Sequence, residues 1–151
     1  MKELVKLLKK RNLTISFAES CTGGMLSSEL VNISGASDVF SESVVTYSNE
    51  AKMKYLGVSK ETLDEFGAVS KETALEMAKG IKRLAESDIG VSITGIAGPT
   101  GGTKLKPVGL VYISVSYGNS YVFEHIFEGK RSDIRLQSVY EAVNHIIEVV
   151  K

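Results

Sequence analysis

The sequence predicts an α/β fold, specifically a three-layer α/β/α arrangement with a mixed sheet that includes a C-terminal β-hairpin. Short apolar runs at 13–18 and 89–94 have the length of buried strands, and segments with helical spacing separate them. Two further strands, 108–117 and 121–127, are joined by Gly118-Asn119, which is typical of a tight hairpin turn. Strands interleaved with helices and followed by one hairpin favour a sheet with both parallel and antiparallel neighbours.

The helices are predicted by apolar residues at helical spacing and by small polar residues at their starts. A lysine-rich amphipathic helix covers about 1–11, and a second helix follows the first strand to about Asn32. Asn49, Ser59 and Ser70 each precede a helical segment and are expected to cap it. The last helix keeps one uninterrupted apolar stripe, formed by Leu136, Val139, Tyr140, Val143, Ile146, Ile147 and Val150.

Between these helices, a cluster of small residues at 34–38 predicts a loop, with Ser37 at the entrance to the next strand. The β-branched and aromatic residues at 44–47 predict that strand. The chain has 151 residues, the size of one domain, and we expect a single domain over 1–151.

Composition excludes several classes of function. The chain has 18 Lys and Arg residues and 18 Asp and Glu residues. It therefore lacks the surplus of basic residues that is typical of a nucleic-acid-binding protein. No apolar run approaches the roughly 18 residues of a membrane span, and the N-terminus lacks the apolar core of a signal peptide. We therefore expect a cytoplasmic protein with no membrane partner.

Cysteine and histidine content bears on metals and disulfides. Cys21 is the one cysteine, which excludes an internal disulfide and a cysteine-rich metal site. His125 and His145 are far apart in sequence and have no partner at ligand spacing, so a zinc site is not expected. These residues thus indicate neither a zinc site nor a cysteine-rich metal site, and no cofactor is expected.

Residues 18–24, Ala-Glu-Ser-Cys-Thr-Gly-Gly, place a carboxylate, three potential nucleophiles and two glycines at a predicted strand-to-helix turn. The first N–H groups of a helix can stabilise an anion or a developing oxyanion at such a place. The alternative is structural, with Ser20 or Thr22 capping the helix and Gly23 and Gly24 permitting the turn. The residues alone leave both interpretations open.

The segment 95–102, directly after the strand that ends at Thr94, is the most glycine-dense part of the chain. Backbone N–H groups approach a phosphate closely where side chains are absent. The segment differs from a P-loop because Thr103 and Lys104 are reversed, and from a dinucleotide fingerprint because a strand follows it. A loop that encloses a ligand is favoured over a simple connector.

Three basic residues are candidates for binding or catalysis. Arg131 and Arg135 share one face at the start of the last helix, where two guanidinium groups can bind a phosphate. The alternative is a pair of exposed arginines that compensate nearby carboxylates.

Lys52 is ordinarily read as a solvated lysine on a short helix. A desolvated Lys52 in contact with Ser37 could act as a general base in Ser–Lys hydrolysis, although the residues alone do not establish that contact.

Six ordered motifs extend over nearly the whole chain. They are Ala-Glu-Ser-Cys-Thr-Gly-Gly at 18–24, Gly-Ala-Ser at 35–37, Val-Thr-Tyr-Ser-Asn-Glu-Ala-Lys at 45–52, Gly-Ala-Val-Ser at 67–70, Thr-Gly-Ile-Ala-Gly-Pro at 94–99 and Lys-Pro-Val-Gly at 106–109. Together they resemble the C-terminal domain of CinA, the nicotinamide-nucleotide amidase family. The resemblance implies hydrolysis of the carboxamide of nicotinamide mononucleotide to nicotinic acid mononucleotide and ammonia, in pyridine-nucleotide salvage. It also implies a homo-oligomer. Full-length CinA proteins carry a large N-terminal domain for which 151 residues leave no room, so we expect a stand-alone amidase-like chain.

The resemblance implies a Ser–Lys amidohydrolase in which Ser37 is the nucleophile and Lys52 the general base. Tyr47 would support proton transfer or orientation. Ser20 would help to hold the base or the oxyanion, and Cys21 would be a packing residue.

The predicted small-molecule partner is the nucleotide substrate. Backbone N–H groups near Thr22 and Gly23 are the expected oxyanion donors. The ribose and phosphate are expected at Thr94, Gly95, Gly98, Gly101, Arg131 and Arg135. Two alternatives remain open: a non-catalytic nucleotide-binding or regulatory domain, and an amidase for another small carboxamide.

Overall fold

The computed structural model describes residues 1–151 and contains six α-helices, five β-strands and one short 3-10 helix at Ala36–Asp38. The helices are α1 Lys2–Arg11, α2 Met25–Val31, α3 Asn49–Leu56, α4 Lys60–Phe66, α5 Lys71–Leu84 and α6 Arg131–Val150. The strands are β1 Ile15–Glu19, β2 Phe40–Val45, β3 Ile89–Gly95, β4 Leu110–Tyr117 and β5 Asn119–Ile126.

The five strands form one mixed sheet in the order β2-β1-β3-β4-β5. Strand β1 pairs in parallel with both β2 and β3, whereas β4 is antiparallel to β3 and to β5. The predicted hairpin is present, but β5 begins at Asn119 rather than at Tyr121, so Gly118 alone separates the paired residues Tyr117 and Asn119. The carboxyl ends of β1, β2 and β3 therefore point the same way, and the residues that follow them meet there.

Helices cover both faces of the sheet, which confirms the predicted α/β fold class. The larger core lies under α1, α2 and α6, and contains Leu4, Leu26 and Ile146 together with Phe17 of β1. The smaller core lies under α3, α4 and α5, and contains Ala18, Leu56, Val58, Leu63, Met77 and Ile81. Successive side chains of a strand point to opposite faces of the sheet. Since a core lies on each face, β1 is buried along its whole length.

Helix α3 is seated tightly on α5, and this contact positions the lysine that α3 carries. A Cβ added at Gly80 of α5 would lie 2.1 Å from the carbonyl oxygen of Leu56, the last residue of α3. Arg83 donates a hydrogen bond of 3.2 Å to the same carbonyl. Only glycine at position 80 permits this approach, because any side chain would collide with backbone.

The structure confirms Ser59 and Ser70 as caps, since each side chain accepts a hydrogen bond from the third residue of its helix. It corrects the cap of α3, which is Ser48 rather than Asn49. Strand β2 begins at Phe40 and ends at Val45, earlier than the predicted 44–47. None of the helices combines the length and apolar composition required to cross a membrane.

Candidate active site

The candidate site lies at the carboxyl ends of β1, β2 and β3. Ser20 directly follows β1, Thr46 directly follows β2, and Thr94 is near the end of β3. Lys52 comes from α3, the helix that follows β2 after a short turn. Parallel strands that end together place these residues around one space, although they are distant in sequence.

The turn after β1 is organised by Glu19, whose carboxylate is fully buried. One oxygen accepts hydrogen bonds from the backbone N–H groups of Gly24 and Leu26, both at 3.1 Å. The other accepts from the N–H and the hydroxyl of Ser27, at 2.9 and 2.7 Å. The start of α2 is therefore satisfied by Glu19, and the alternative in which Ser20 or Thr22 caps this helix is wrong.

Ser20 and Lys52 are in direct contact. Lys52 Nζ lies 3.1 Å from Ser20 Oγ and donates a second hydrogen bond of 2.8 Å to the carbonyl oxygen of Thr46. The lysine is only 1% exposed. Burial lowers its pKa below the ordinary value because the charged ammonium loses its hydration, against a weaker opposing effect of Cys21. The interpretation of Lys52 as a solvated surface lysine is therefore wrong.

The neighbouring thiol has the opposite tendency. Burial raises the pKa of Cys21 to about 11, which keeps the sulfur protonated near neutrality. Gly23 N–H donates to the carbonyl oxygen of Ser20, so it is engaged within the turn. The N–H groups of Cys21 and Thr22 make no hydrogen bond within the protein. Of the expected oxyanion donors, Gly23 is thus engaged; Thr22 has an unbonded N–H but is fully buried, and the adjacent Cys21 has an unbonded N–H and lines the neighbouring cavity.

A cavity of about 220 Å³ opens beside the Ser20–Lys52 pair. Its lining residues are Ser20, Cys21, Tyr47, Lys52, Ala68, Val69, Thr94, Gly95, Ala97 and Arg131. The predicted residues Thr94 and Gly95 therefore lie in the wall, where the Thr94 hydroxyl donates a 2.8 Å bond to the carbonyl oxygen of Ala68. Sequence reasoning missed Ala68, Val69 and Ala97 as lining residues, although the motifs at 67–70 and 94–99 contain them.

The mouth of the cavity is formed by Tyr47 and Arg131. Arg131 donates one hydrogen bond of 2.9 Å to the Tyr47 hydroxyl and another of 2.7 Å to the carbonyl oxygen of Gly98. Tyr47 is 63% exposed and makes no hydrogen bond to Ser20 or Lys52. Gly98 thus contributes its carbonyl to holding Arg131, while Gly101 is exposed and does not line the cavity.

Arg135 lies one turn further along α6 and has a different environment. Its guanidinium donates hydrogen bonds to the carbonyl oxygens of Cys21 at 3.0 Å and Thr22 at 2.8 Å. It therefore ties α6 to the turn after β1 and does not line the cavity. The structure separates the two predicted phosphate ligands, leaving Arg131 at the cavity and giving Arg135 a backbone contact.

Ser37 is exposed and lies at the other end of the sheet from Lys52. It belongs to the 3-10 helix before β2 and lines a surface depression with Val31 and Phe40. Strand β2, between it and the site, is six residues long, or about 20 Å at 3.3 Å per residue. The expected contact of Ser37 with Lys52 is therefore absent within the chain, and Ser20 is the serine beside the lysine.

The two histidines correct a further expectation. His125 of β5 and His145 of α6 are neighbours in the fold, with 2.8 Å between their Nε2 atoms. The sequence-based view that they lack a partner is wrong, because the fold places β5 beside α6, with His145 stacked on Phe123 of β5.

The fold and the site define a class of protein: an α/β domain that holds a desolvated lysine against a serine where parallel strands end. The model of a protein family, the CinA C-terminal domain, matches residues 1–150. The chain belongs to the CinA C-terminal domain family.

Relatives of known sequence support this membership. The chain is 56% identical to a CinA-like protein of Kosmotoga olearia over 144 residues. The matched region covers 95% of this chain and 35% of that protein. It is 50% identical to a CinA-like protein of Petrotoga mobilis over 149 residues. That match covers 98% of this chain and 37% of the relative. The chain thus spans about a third of the length of the curated relatives it matches.

Solved structures share the fold over nearly the whole chain. The competence/damage inducible protein CihA from Agrobacterium tumefaciens superimposes with a TM-score of 0.94 at 41% identity, covering 99% of this chain and 95% of that one. A CinA superfamily protein from Klebsiella pneumoniae gives a TM-score of 0.96 at 34% identity, covering 99% and 94%. These similarities agree with the mixed sheet and its two helical layers.

Proposed function

We propose that this chain is an amidase that hydrolyses the carboxamide of nicotinamide mononucleotide to nicotinic acid mononucleotide and ammonia. The observation that supports this most directly is the contact of the buried Lys52 with Ser20 beside a cavity. A serine hydroxyl becomes an effective nucleophile only when a neighbouring base accepts its proton. The family resemblance supplies the substrate, and the geometry supports Ser20 rather than Ser37 as the nucleophile.

Lys52 is suited to the role of base because its surroundings favour the neutral amine. Burial lowers its pKa, and no carboxylate lies within 4.0 Å to stabilise the ammonium. A neutral amine has two N–H bonds and one lone pair. One N–H remains bonded to the carbonyl oxygen of Thr46, and the lone pair is then free to accept the proton of Ser20.

In the first half-reaction, Ser20 Oγ attacks the carboxamide carbon while its proton passes to Lys52 Nζ. Negative charge develops on the carboxamide oxygen, and the free N–H group of Cys21, which lines the cavity, would stabilise it. Protonated Lys52 then gives its proton to the amide nitrogen. The C–N bond breaks, ammonia leaves, and an ester of Ser20 remains.

In the second half-reaction, water attacks the ester carbon and gives a proton to neutral Lys52. The bond from carbon to Ser20 Oγ breaks, and the lysine returns the proton to that oxygen. The product is the free carboxylic acid, and the serine and the neutral lysine are regenerated. No step requires a group other than these side chains, water and backbone N–H donors.

The dimensions of the cavity limit which part of the substrate enters. Its volume of about 220 Å³ is below the roughly 300–1,000 Å³ of sites that enclose drug-sized ligands. It therefore suits a small planar carboxamide, while the rest of a nucleotide would extend past the mouth. Arg131 is positioned there, and its guanidinium suits a phosphate.

The proposal is tested by measuring ammonia release from nicotinamide mononucleotide, nicotinamide riboside and nicotinamide. We expect the mononucleotide to be turned over best. Ser20→Ala and Lys52→Met should each reduce kcat by at least about a hundredfold, the usual range for loss of a general base or nucleophile. Ser37→Ala is the matched serine control and should leave kcat unchanged.

Other outcomes would favour the rival interpretations. Full activity of Ser20→Ala together with loss of activity in Ser37→Ala would return the nucleophile to Ser37. Tight mononucleotide binding without turnover of any substrate would favour a non-catalytic nucleotide-binding domain. Equal turnover of all three compounds would favour an amidase for small carboxamides. We also propose a homo-oligomer on the resemblance alone, which light scattering measures directly.

A further inference from the structure

Three potential metal ligands converge far from the candidate active site. They are His125 on β5 and the pair Glu141 and His145 on α6, and their ligand atoms all lie within 4.8 Å of one another. Glu141 and His145 are four residues apart, so they share one face of the helix. His145 is ten residues beyond Arg135, or about 15 Å along α6. The group is therefore separate from the Ser20–Lys52 cavity.

The two imidazole rings are held in place by aromatic stacking. The His145 ring stacks on Phe123, with 3.6 Å between ring centroids and 4° between planes. The His125 ring stacks on Phe127, with corresponding values of 4.9 Å and 7°. Phe123, His125 and Phe127 alternate along the chain and so lie on the same side. The positions of the two Nε2 atoms are thus preorganised.

The separation of these nitrogens matches a particular coordination geometry. With metal–nitrogen bonds of about 2.0–2.1 Å, two ligands at a right angle lie roughly 2.9 Å apart, and two at the tetrahedral angle lie roughly 3.3 Å apart. The observed distance between the Nε2 atoms is 2.8 Å, at which one ring donates a hydrogen bond to the other when no metal is bound. Right-angled donors of nitrogen and oxygen are typical of Ni²⁺ and Cu²⁺ in tetragonal sites.

The protonation requirements can also be met. Both Nε2 atoms must present lone pairs to a metal, so each ring must carry its proton on Nδ1. Nδ1 of His145 is buried without a hydrogen-bond partner, and a Glu148 carboxylate oxygen lies 3.5 Å from it. A slight closure of that gap would give the carboxylate–histidine–metal arrangement that fixes ligand tautomers.

We propose that His125, His145 and Glu141 form a binding site for a divalent transition metal of the Ni²⁺ or Cu²⁺ type. Two imidazole nitrogens and one carboxylate oxygen would occupy three positions, and water would complete the coordination. The metal would join the edge strand β5 to the middle of α6. Its role is independent of the proposed amidase reaction.

The test uses the full chain without a histidine tag, titrated with NiCl₂ in a calorimeter, with MgCl₂ as the control ion. We expect one Ni²⁺ per chain and no Mg²⁺ binding, because Mg²⁺ prefers oxygen ligands. His125→Gln and His145→Gln should each weaken Ni²⁺ binding by at least about tenfold, and Glu141→Gln by a similar factor. Glu65→Gln, an exposed carboxylate on α4, is the matched control and should bind as wild type does.

Two outcomes would overturn the site: no stoichiometric Ni²⁺ binding by the wild-type chain, or unchanged binding by the double variant His125→Gln/His145→Gln. If a histidine variant fails to fold, as judged by circular dichroism, two other measurements still test the metal site. One is the affinity of Glu141→Gln, and the other is NMR of the wild-type histidine rings. Paramagnetic Ni²⁺ must selectively broaden the resonances of both rings, and unaffected rings would reject the site.

Discussion

Lys52 Nζ lies 3.1 Å from Ser20 Oγ in the interior of the protein, without a carboxylate within 4.0 Å of the amine. A charged lysine in that position would have lost its hydration without gaining an ion-pair partner. The fold therefore favours the neutral amine, which is the form that can accept a proton from Ser20. The same desolvation that serves the proposed chemistry opposes stability whenever the lysine is protonated.

Lys52 should make stability depend on pH in a defined direction. Its pKa is lowered in the folded state, so the unfolded chain binds the proton more readily between the folded pKa and the ordinary value of 10.5. Stability due to this group therefore rises with pH across that window, and the full penalty is present below the folded pKa. We expect the free energy of unfolding of wild type, relative to Lys52→Met, to increase from pH 7 to pH 10. Urea denaturation of both proteins at both pH values measures this difference in the free energy of unfolding. A difference that stays constant with pH would argue against a desolvated lysine.

Glu19 should be essential for stability. Its buried carboxylate accepts four hydrogen bonds from the turn and the start of α2. We expect Glu19→Ala to lower the free energy of unfolding by about 3 kcal/mol, since several buried donors lose their acceptor. Glu19→Gln should cost less, because one carbonyl oxygen remains. Glu65→Gln, at an exposed position, should stay within about 0.5 kcal/mol of wild type. Chemical denaturation compares them, and equal stability of Glu19→Ala and Glu65→Gln would refute the role.

The fold was largely predictable because its elements carry strong local patterns. The apolar runs of β1 and β3, the stripe of α6 and the Gly118-Asn119 turn each identify an element without knowledge of the others. The boundaries were less predictable. Strand β2 begins at Phe40 because pairing with Ile15 extends it, and this neighbour is not visible in the local pattern of β2.

The site depended on contacts that local patterns do not encode. Lys52 has the sequence context of a surface lysine, and the packing of α3 against the ends of β1 and β2 places it in the interior. Ser37 and Ser20 were both plausible partners until the parallel pairing of β1 with β2 placed Ser37 at the opposite end. Arg131 and Arg135 share a helix face, but one turn of α6 separates a cavity residue from a backbone clamp. In each case the relevant distance is set by tertiary packing.

Cys21 should be inert in the folded protein. Burial raises its pKa to about 11, so at pH 8 only about one thiol in a thousand is ionised. We expect Ellman's reagent to leave the native chain unmodified and to titrate one thiol per chain in guanidinium chloride. Cys21→Ala should retain amidase activity and lose about 1 kcal/mol of stability from the small cavity. Equal reaction rates for native and denatured chains would contradict the buried assignment.

Arg131 should contribute to affinity for the phosphate of the proposed substrate. Its guanidinium lies at the mouth of the cavity, where it also bonds to Tyr47 and to the carbonyl oxygen of Gly98, whereas Arg135 lies outside the cavity, bonded to the carbonyl oxygens of Cys21 and Thr22. We expect Arg131→Ala to weaken mononucleotide binding by about 10-fold to 100-fold, the value of one hydrogen bond to a charged group. Binding of nicotinamide riboside, which lacks the phosphate, should change little.

Arg135→Ala provides the comparison for that prediction, because the residue has the same charge and lies one turn away. It should lower stability by about 1–3 kcal/mol through loss of its two backbone contacts, and leave the preference for mononucleotide over riboside intact. Calorimetric titration of both ligands into both variants measures the two preferences directly. If Arg131→Ala weakens both ligands equally, Arg131 supports only the mouth through Tyr47 and Gly98. If Arg135→Ala instead abolishes the preference, the phosphate lies against the turn after β1 rather than at Arg131.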